Sequence, residues 1–298
     1  MSAVYGAIEA GGTKFVCAVA ESPGPDLVTK QIIPTTTPDQ TLAKAVEFFR
    51  GRSLRGLGIA CFGPLDLERG RIGATPKTGW VGGDVVRAFR EALGVPIRFD
   101  TDVNGAALGE ARHGAGKCMD PLIYVTVGTG IGTGVLVSGR PVHGMMHPEA
   151  GHLFVKRRAD DAFHGSCPFH ADCLEGMASG PAIEARWGSP GSALPADHPA
   201  WELEAHYLAQ AMCDLIYVVS PQRIVLGGGV MNHQGLLGLI RQETRALLAG
   251  YVQTLADPMM LDEQIVPAAL GDDAGIVGAL ELAFEAAQAS SLTGPPPV

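Results

Sequence analysis

His152, Cys167, His170 and Cys173 form an H…C-x-x-H-x-x-C set, with Glu149 three residues before the first of them and Glu175 two residues after the last. Two thiolates and two imidazoles are the donors that Zn²⁺ takes when it closes a tetrahedral structural site and leaves no position open for chemistry. Taken one by one, the same residues would read as buried cysteines and surface histidines, since free cysteine is among the most buried residue types. Four matching donor types, three of them inside seven residues, favour the metal clip. Its work would be to hold the two glutamates in place.

A second set of residues is suited to phosphate. Successive backbone N–H groups in a glycine turn can cradle phosphate oxygens, because no Cβ blocks their approach and the amide dipoles converge on the anion. Gly11-Gly12-Thr13-Lys14 has this character and adds a hydroxyl and a cation. Glu9, just before it, could hold Mg²⁺ through water, since that ion prefers carboxylate oxygens and keeps part of its hydration shell. The run 128–134, Gly-Thr-Gly-Ile-Gly-Thr-Gly, repeats the theme, and Gly227-Gly228-Gly229 sits between an apolar strand and a helix expected near Asn232. Neither the Walker A pattern nor G-x-G-x-x-G matches. Each turn alone also fits an ordinary glycine hairpin; a pair of them points to a nucleotide.

Asp100 and Asp102 follow an apolar stretch at 97–99 and precede a helical pattern at 104–112. Asp102 fits a helix N-cap. A carboxylate there also suits the proton acceptor that phosphoryl transfer to an alcohol requires, with Asn104 within reach of the same substrate. Asp100 reads as a structural or turn residue.

These residues need elements to hold them. Segments 4–8 and 15–20 read as strands around the first glycine turn, and 122–127 and 135–138 as strands around the second. Short strands at 57–61, 97–99, 223–226 and 265–267 alternate with helices at 39–50, 85–93, 182–187, 201–219 and 236–248. Two related α/β lobes with mixed sheets flanked by helices are expected. The first would span 1–114, joined by a C-terminal helix at 273–288 whose N-cap is Asp272 or Asp273. The second would span 115–272 and include the metal loop, with 289–298 as a flexible tail. The 298 residues are 46% hydrophobic and 18% charged, enough for a large core. A net charge of −9 with no basic cluster excludes the footprint of a nucleic-acid binder. Six irregularly spaced cysteines do not resemble a secreted disulfide framework, and no stretch of eighteen apolar residues occurs, so a cytoplasmic, non-membrane protein is expected.

Glu9-Ala10-Gly11-Gly12-Thr13-Lys14, Gly63-Pro64, Thr75-Pro76-Lys77, Gly79-Trp80, Asp102-Val103-Asn104, Gly128-Thr129-Gly130, His147-Pro148-Glu149-Ala150-Gly151-His152 and Leu226-Gly227-Gly228-Gly229 together resemble the ROK family of sugar kinases, over nearly the whole chain. Within it, Glu9 and the compact 167–176 stretch look most like the bacterial fructokinases. The resemblance implies an actin-like (ribonuclease H-like) ATPase fold of two lobes, MgATP with a hexose beneath it, a structural zinc loop and a homodimer. It makes Asp102 the base and Asn104, Glu149, His152 and Glu175 the sugar contacts, His152 also binding zinc. Glu9, Gly11, Gly12, Thr13, Lys14 and Thr129 would meet the phosphates and Mg²⁺, Pro181 would border the nucleotide, and Gly228, Gly229 and Val230 would line its adenosine. Two departures stand out: Glu9 where Asp is commoner, and Thr101 where many relatives have Asn.

The expected reaction is ATP-dependent phosphorylation of D-fructose at its 6-hydroxyl. Glucose, mannose and N-acylated hexosamines are the alternative acceptors, since a few hydrogen bonds to ring hydroxyls decide among them. Relatives of the family also include sugar-sensing repressors, which carry a DNA-binding module ahead of the first glycine turn. Here the first strand begins at Val4, which disfavours that reading.

Overall fold

The computed structural model describes residues 3–75 and 77–293, so Pro76 of the Thr75-Pro76-Lys77 motif lies outside it. The chain divides into two compact units. One comprises the residues up to Gly114, Pro141–His147 and those from Asp272 on; the other comprises Ala115–Arg140 and Pro148–Gly271. The assignment of Pro141–His147 differs from a simple second lobe over 115–272. Its cause is local: His143 Nε2 lies 3.1 Å from Asp100, and His147 Nε2 accepts the Leu65 amide proton at 3.0 Å.

The first unit is built on a five-stranded sheet of β1 (Val4–Ala10), β2 (Lys14–Ala20), β3 (Thr29–Pro34), β4 (Leu54–Cys61) and β7 (Ile97–Thr101), in the order β3-β2-β1-β4-β7. A small ribbon of β5 (Leu65–Asp66) and β6 (Arg71–Ile72) stands beside it. β1, β2 and β3 pair antiparallel, whereas β4 joins β1 and β7 in parallel. The near-continuous apolar runs of β1 and β4 follow from burial on both faces, as parallel strands covered by helices require. Leu57, Ile59 and Cys61 alternate into a core with Phe49 of α1 (Pro38–Phe49) and Phe89 of α2 (Val85–Leu93), while Gly56 and Gly58 lie against α9 (Ala274–Thr293).

α9 is buried on so many sides that it has almost no polar face over 274–286, the pattern of a helix enclosed by its own domain. It packs on β4, β1 and α3 (Asp102–His113). A Cβ at Gly278 would sit 1.6 Å from the Gly105 carbonyl oxygen, so the α3/α9 contact is a backbone-to-backbone approach that only hydrogen permits there. α9 extends to Thr293, which makes 289–293 helical where the sequence reading expects a flexible tail; 294–298 lie outside the described residues. Among the described residues no helix is long and apolar enough to cross a membrane.

The second unit repeats the plan: β8 (Leu122–Val127), β9 (Ile131–Val137), β10 (Arg140–Pro141), β11 (Arg223–Gly227) and β12 (Ile265–Pro267), in the order β10-β9-β8-β11-β12. β8 and β9 form an antiparallel hairpin, and β11 runs parallel to β8 and β12. Ile123, Val125, Ile224 and Leu226 meet Met177 of α4 (Leu174–Ala178), Ile183 of α5 (Gly180–Trp187), Tyr207 and Met212 of α6 (Ala200–Val219), Ile240 of α7 (Leu236–Leu248) and Leu261 of α8 (Pro258–Gln264).

Two expectations about glycine runs change. The turn at 128–134 shrinks to 128–130, because β9 begins at Ile131 and its pairing with β8 takes in Gly132 and Gly134. After Gly227-Gly228, the chain makes a 3-10 turn over Gly229–Asn232, and α7 opens only at Leu236, so no α-helix starts near Asn232.

Candidate active site and metal centre

In the first unit, the turn between β1 and β2 closes through the Gly11 amide, which donates to the Lys14 carbonyl at 2.9 Å. β3 braces it: Thr35 Oγ1 donates to the Gly11 carbonyl at 2.8 Å, and the Thr35 amide donates to the Thr13 carbonyl at 2.9 Å. The Lys77 ammonium donates to the Gly12 carbonyl. With its carbonyls occupied in this way, the turn leaves Thr13 and Lys14 exposed.

Thr101 caps α3, its hydroxyl accepting the Asn104 amide proton at 3.1 Å. Asp102 is therefore the first residue of the helix and not its cap, and Thr101 does the capping work that Asn can also do. Freed from capping, the partly exposed Asp102 carboxylate accepts only the Val103 amide among the bonds described, at 2.9 Å. Burial dominates its electrostatics and pushes its pKa up to about 6. Glu9, near the end of β1, lies beside Gly275 in the first turn of α9. Burial first, and then the Asp102 charge, push the Glu9 carboxyl up to about 7. The unit thus brings together a carboxyl pair and a turn of amides.

Asn104 is fully buried. Its side-chain amide donates to Asp100 Oδ1 at 2.7 Å, and the Asp100 carboxylate also accepts the Thr101 amide and lies 3.1 Å from His143 Nε2. Asp100 thus takes the structural role: it ties β7, α3 and the 141–147 segment together. His143 escaped the sequence reading because nothing local marks a residue 39 positions from Asn104 as its neighbour.

In the second unit, the four predicted metal donors converge, their ligating atoms all within 4.8 Å of one another. His152 Nδ1 lies 3.5 Å from Cys173 Sγ and 3.9 Å from Cys167 Sγ, and His170 Nδ1 lies 3.8 Å from Cys167 Sγ. Tetrahedral Zn²⁺ with its usual bond lengths would set donors about 3.3–3.8 Å apart, so the set fits with small adjustments. Burial pushes the Cys173 thiol up to about 11, so it is protonated near neutrality unless a cation displaces the proton. Both of the nearby glutamates are partly exposed. Glu149 precedes the 3-10 turn Ala150–His152, and Glu175 sits in the first turn of α4. Glu175 Oε2 accepts the Ile131 amide proton at 2.9 Å, a contact that spacing along the chain does not disclose.

The second glycine turn closes through the Gly128 amide, which donates to the Gly130 carbonyl at 2.9 Å, and Thr129 at its tip is exposed. The Gly180 amide donates to the Gly128 carbonyl at 2.7 Å, so α5 starts beside the turn with Pro181 as its second residue. Gly128 also faces Gly229, and Gly180 faces Val230. Thr129, Pro181, Gly228, Gly229 and Val230 are therefore neighbours, although they come from three separate stretches of sequence.

The ROK family model matches residues 5–286, and the chain belongs to that family. The fructokinase of Zymomonas mobilis is 46% identical over 95% of this chain and 97% of its own, and that of Pediococcus pentosaceus is 42% identical over 94% and 97%. The crystal structure of the ROK hexokinase from Thermus thermophilus superposes with a TM-score of 0.76 at 27% identity, covering 96% of this chain and all of that one. The fold is the actin-like ATPase fold of that family.

Proposed function

We infer that this chain is an ATP-dependent fructokinase, which transfers the γ-phosphoryl group of ATP to the 6-hydroxyl of D-fructose. The near-full-length likeness to fructokinases carries the choice of sugar. Asp102 takes the hydroxyl proton as the sugar oxygen bonds to the γ-phosphorus, and the bond from that phosphorus to the bridging oxygen breaks to release ADP. A base with a pKa of about 6 is ionised at neutral pH yet still basic enough to accept a proton as the oxygen becomes acidic. Mg²⁺ accompanying ATP supplies neutralisation of phosphate charge, and Glu9 would hold it through water. Gly11, Gly12, Thr13, Lys14 and Thr129 bind the phosphates, with Pro181, Gly228, Gly229 and Val230 at the nucleoside.

Glu149, His152 and Glu175 hold the sugar. Asn104, the sugar contact proposed from the first unit, is completely buried and fixes Asp100. His152, Cys167, His170 and Cys173 would hold Zn²⁺, which supplies a rigid clip and no open coordination position. His152 presents Nδ1 to the thiols, which leaves Nε2 on the other side of the ring for the sugar. The irregularly spaced cysteines support a cytoplasmic enzyme, and the family resemblance supports a homodimer.

ADP release measured over a panel of hexoses, with mass identification of the product, tests the assignment. Fructose 6-phosphate formed in step with ADP is the expected result. Turnover with another hexose and none with fructose would overturn the choice of sugar.

A further inference from the structure

The metal clip and the second glycine turn share a residue. Ile131 follows directly on Gly128-Thr129-Gly130, and two neighbours of the clip hold it. Glu175 Oε2, two positions after Cys173, takes the Ile131 amide proton at 2.9 Å. Gly151, adjacent to His152, packs so tightly that a Cβ there would sit 1.8 Å from the Ile131 carbonyl oxygen. Both peptide groups of Ile131 are thereby gripped, one by the His152 end of the clip and the other by the Cys173 end. The two ends are also joined by backbone, since the Leu174 amide donates to the Leu153 carbonyl at 2.9 Å. A displacement of His152 or Cys173 therefore has a direct route to the turn that carries Thr129.

We propose that Glu175 is a positioning residue for the nucleotide, through which the Cys/His clip sets the geometry of the Gly128–Ile131 turn. The metal's influence then extends beyond the sugar contacts to the phosphate turn. This rests on the reading of that turn as a phosphate contact. A carboxylate oxygen accepting a backbone N–H is worth more than a neutral pair, and its loss leaves the amide to find water.

The test uses sugar-free, metal-loaded full-length protein, so that any sugar contact of Glu175 is silent. Glu175→Ala removes the acceptor, whereas Glu175→Gln keeps an oxygen able to take the Ile131 proton. Affinity for the magnesium complex of a non-hydrolysable ATP analogue is measured by calorimetry, and amide exchange at 128–132 by mass spectrometry. The expected result for Glu175→Ala is at least tenfold weaker analogue binding with faster exchange at Ile131, and for Glu175→Gln a change within threefold in both. Native protein stripped of metal, with its circular dichroism retained, should show the same faster exchange at Ile131, which keeps the test open should the alanine variant not fold. Unchanged exchange in Glu175→Ala or in stripped protein would overturn the anchor. Faster exchange with unchanged analogue affinity would overturn the phosphate reading of the turn, and this proposal with it.

Discussion

The two glycine turns occupy equivalent places, each joining the antiparallel pair of a five-stranded sheet, yet they are supported differently. The first is braced by Thr35, directly after the adjacent strand, and by a lysine; the second is held by a glutamate and a glycine that flank the Cys/His cluster. Support by a neighbouring strand segment is present whenever the sheet is folded. On the proposal made above, support through a metal clip would depend on occupancy, so one fold would supply a permanent phosphate turn and a conditional one. The chemistry differs too: the first unit has the partly buried carboxyl pair Glu9 and Asp102, whereas the second places the Cys/His cluster beside its turn.

The comparison can be broken most sharply at Asp102. Asp102→Asn should lower kcat by about 10²–10⁴ while leaving nucleotide affinity nearly intact, because it removes only the proton acceptor. The same change should stabilise the fold. The carboxyl has a folded pKa of about 6, above its ordinary 3.8, so the acid form is favoured in the native state and stability falls as pH rises through that interval. A neutral amide escapes this penalty, and thermal melting at pH 7.5 should rise. Turnover within severalfold of the parent would reject the assigned role.

Removing the metal is the next largest perturbation. Chelation in folded protein should weaken fructose affinity by roughly tenfold or more, as loss of a clip that orients its neighbours does. Amide exchange around Gly11–Lys14 should stay unchanged, because the strand-side brace has no metal in it. Equal loosening of both turns would erase the proposed contrast.

Recorded with zinc in excess, the acid limb of the pH profile bears on the first unit. kcat/KM for fructose should fall about tenfold per unit below pH 6, as Asp102 takes up its proton. Glu9 titrates close by and is coupled to it, so the limb reports the pair. A profile flat from pH 7 to 5 would remove the base from Asp102.

The smallest expected effect belongs to the first turn's brace. Thr35→Val deletes one side-chain hydrogen bond to Gly11 and leaves the Thr35 amide bond to Thr13, so KM for ATP should rise only about threefold, in line with roughly 1 kcal/mol or less per bond. An effect as large as that of Glu175→Ala would show that the two turns are equally conditional.

Much was legible in the residues because it is local. The hairpins around both glycine turns, α2 and α7 with their boundaries, and the metal donors all follow from periodicity, turn residues and donor spacing within short windows. α4 and α8 were missed, being five and seven residues long and too short to show a helical period. The turn at 128–130 was overextended because glycine inside a strand looks the same in sequence as glycine in a loop.

By itself, the sequence determined the kinds of chemistry available: a carboxylate at a helix start, two amide-rich turns and a thiolate–imidazole set, each encoded by residues close together in the chain. Only the tertiary structure decided that Asp102 stands free while Thr101 caps, that His143 joins Asp100 and Asn104, and that Glu175 reaches back to Ile131. The last two outcomes depend on which groups meet across 39 to 44 residues of chain, and pattern within a window carries no information about such pairings.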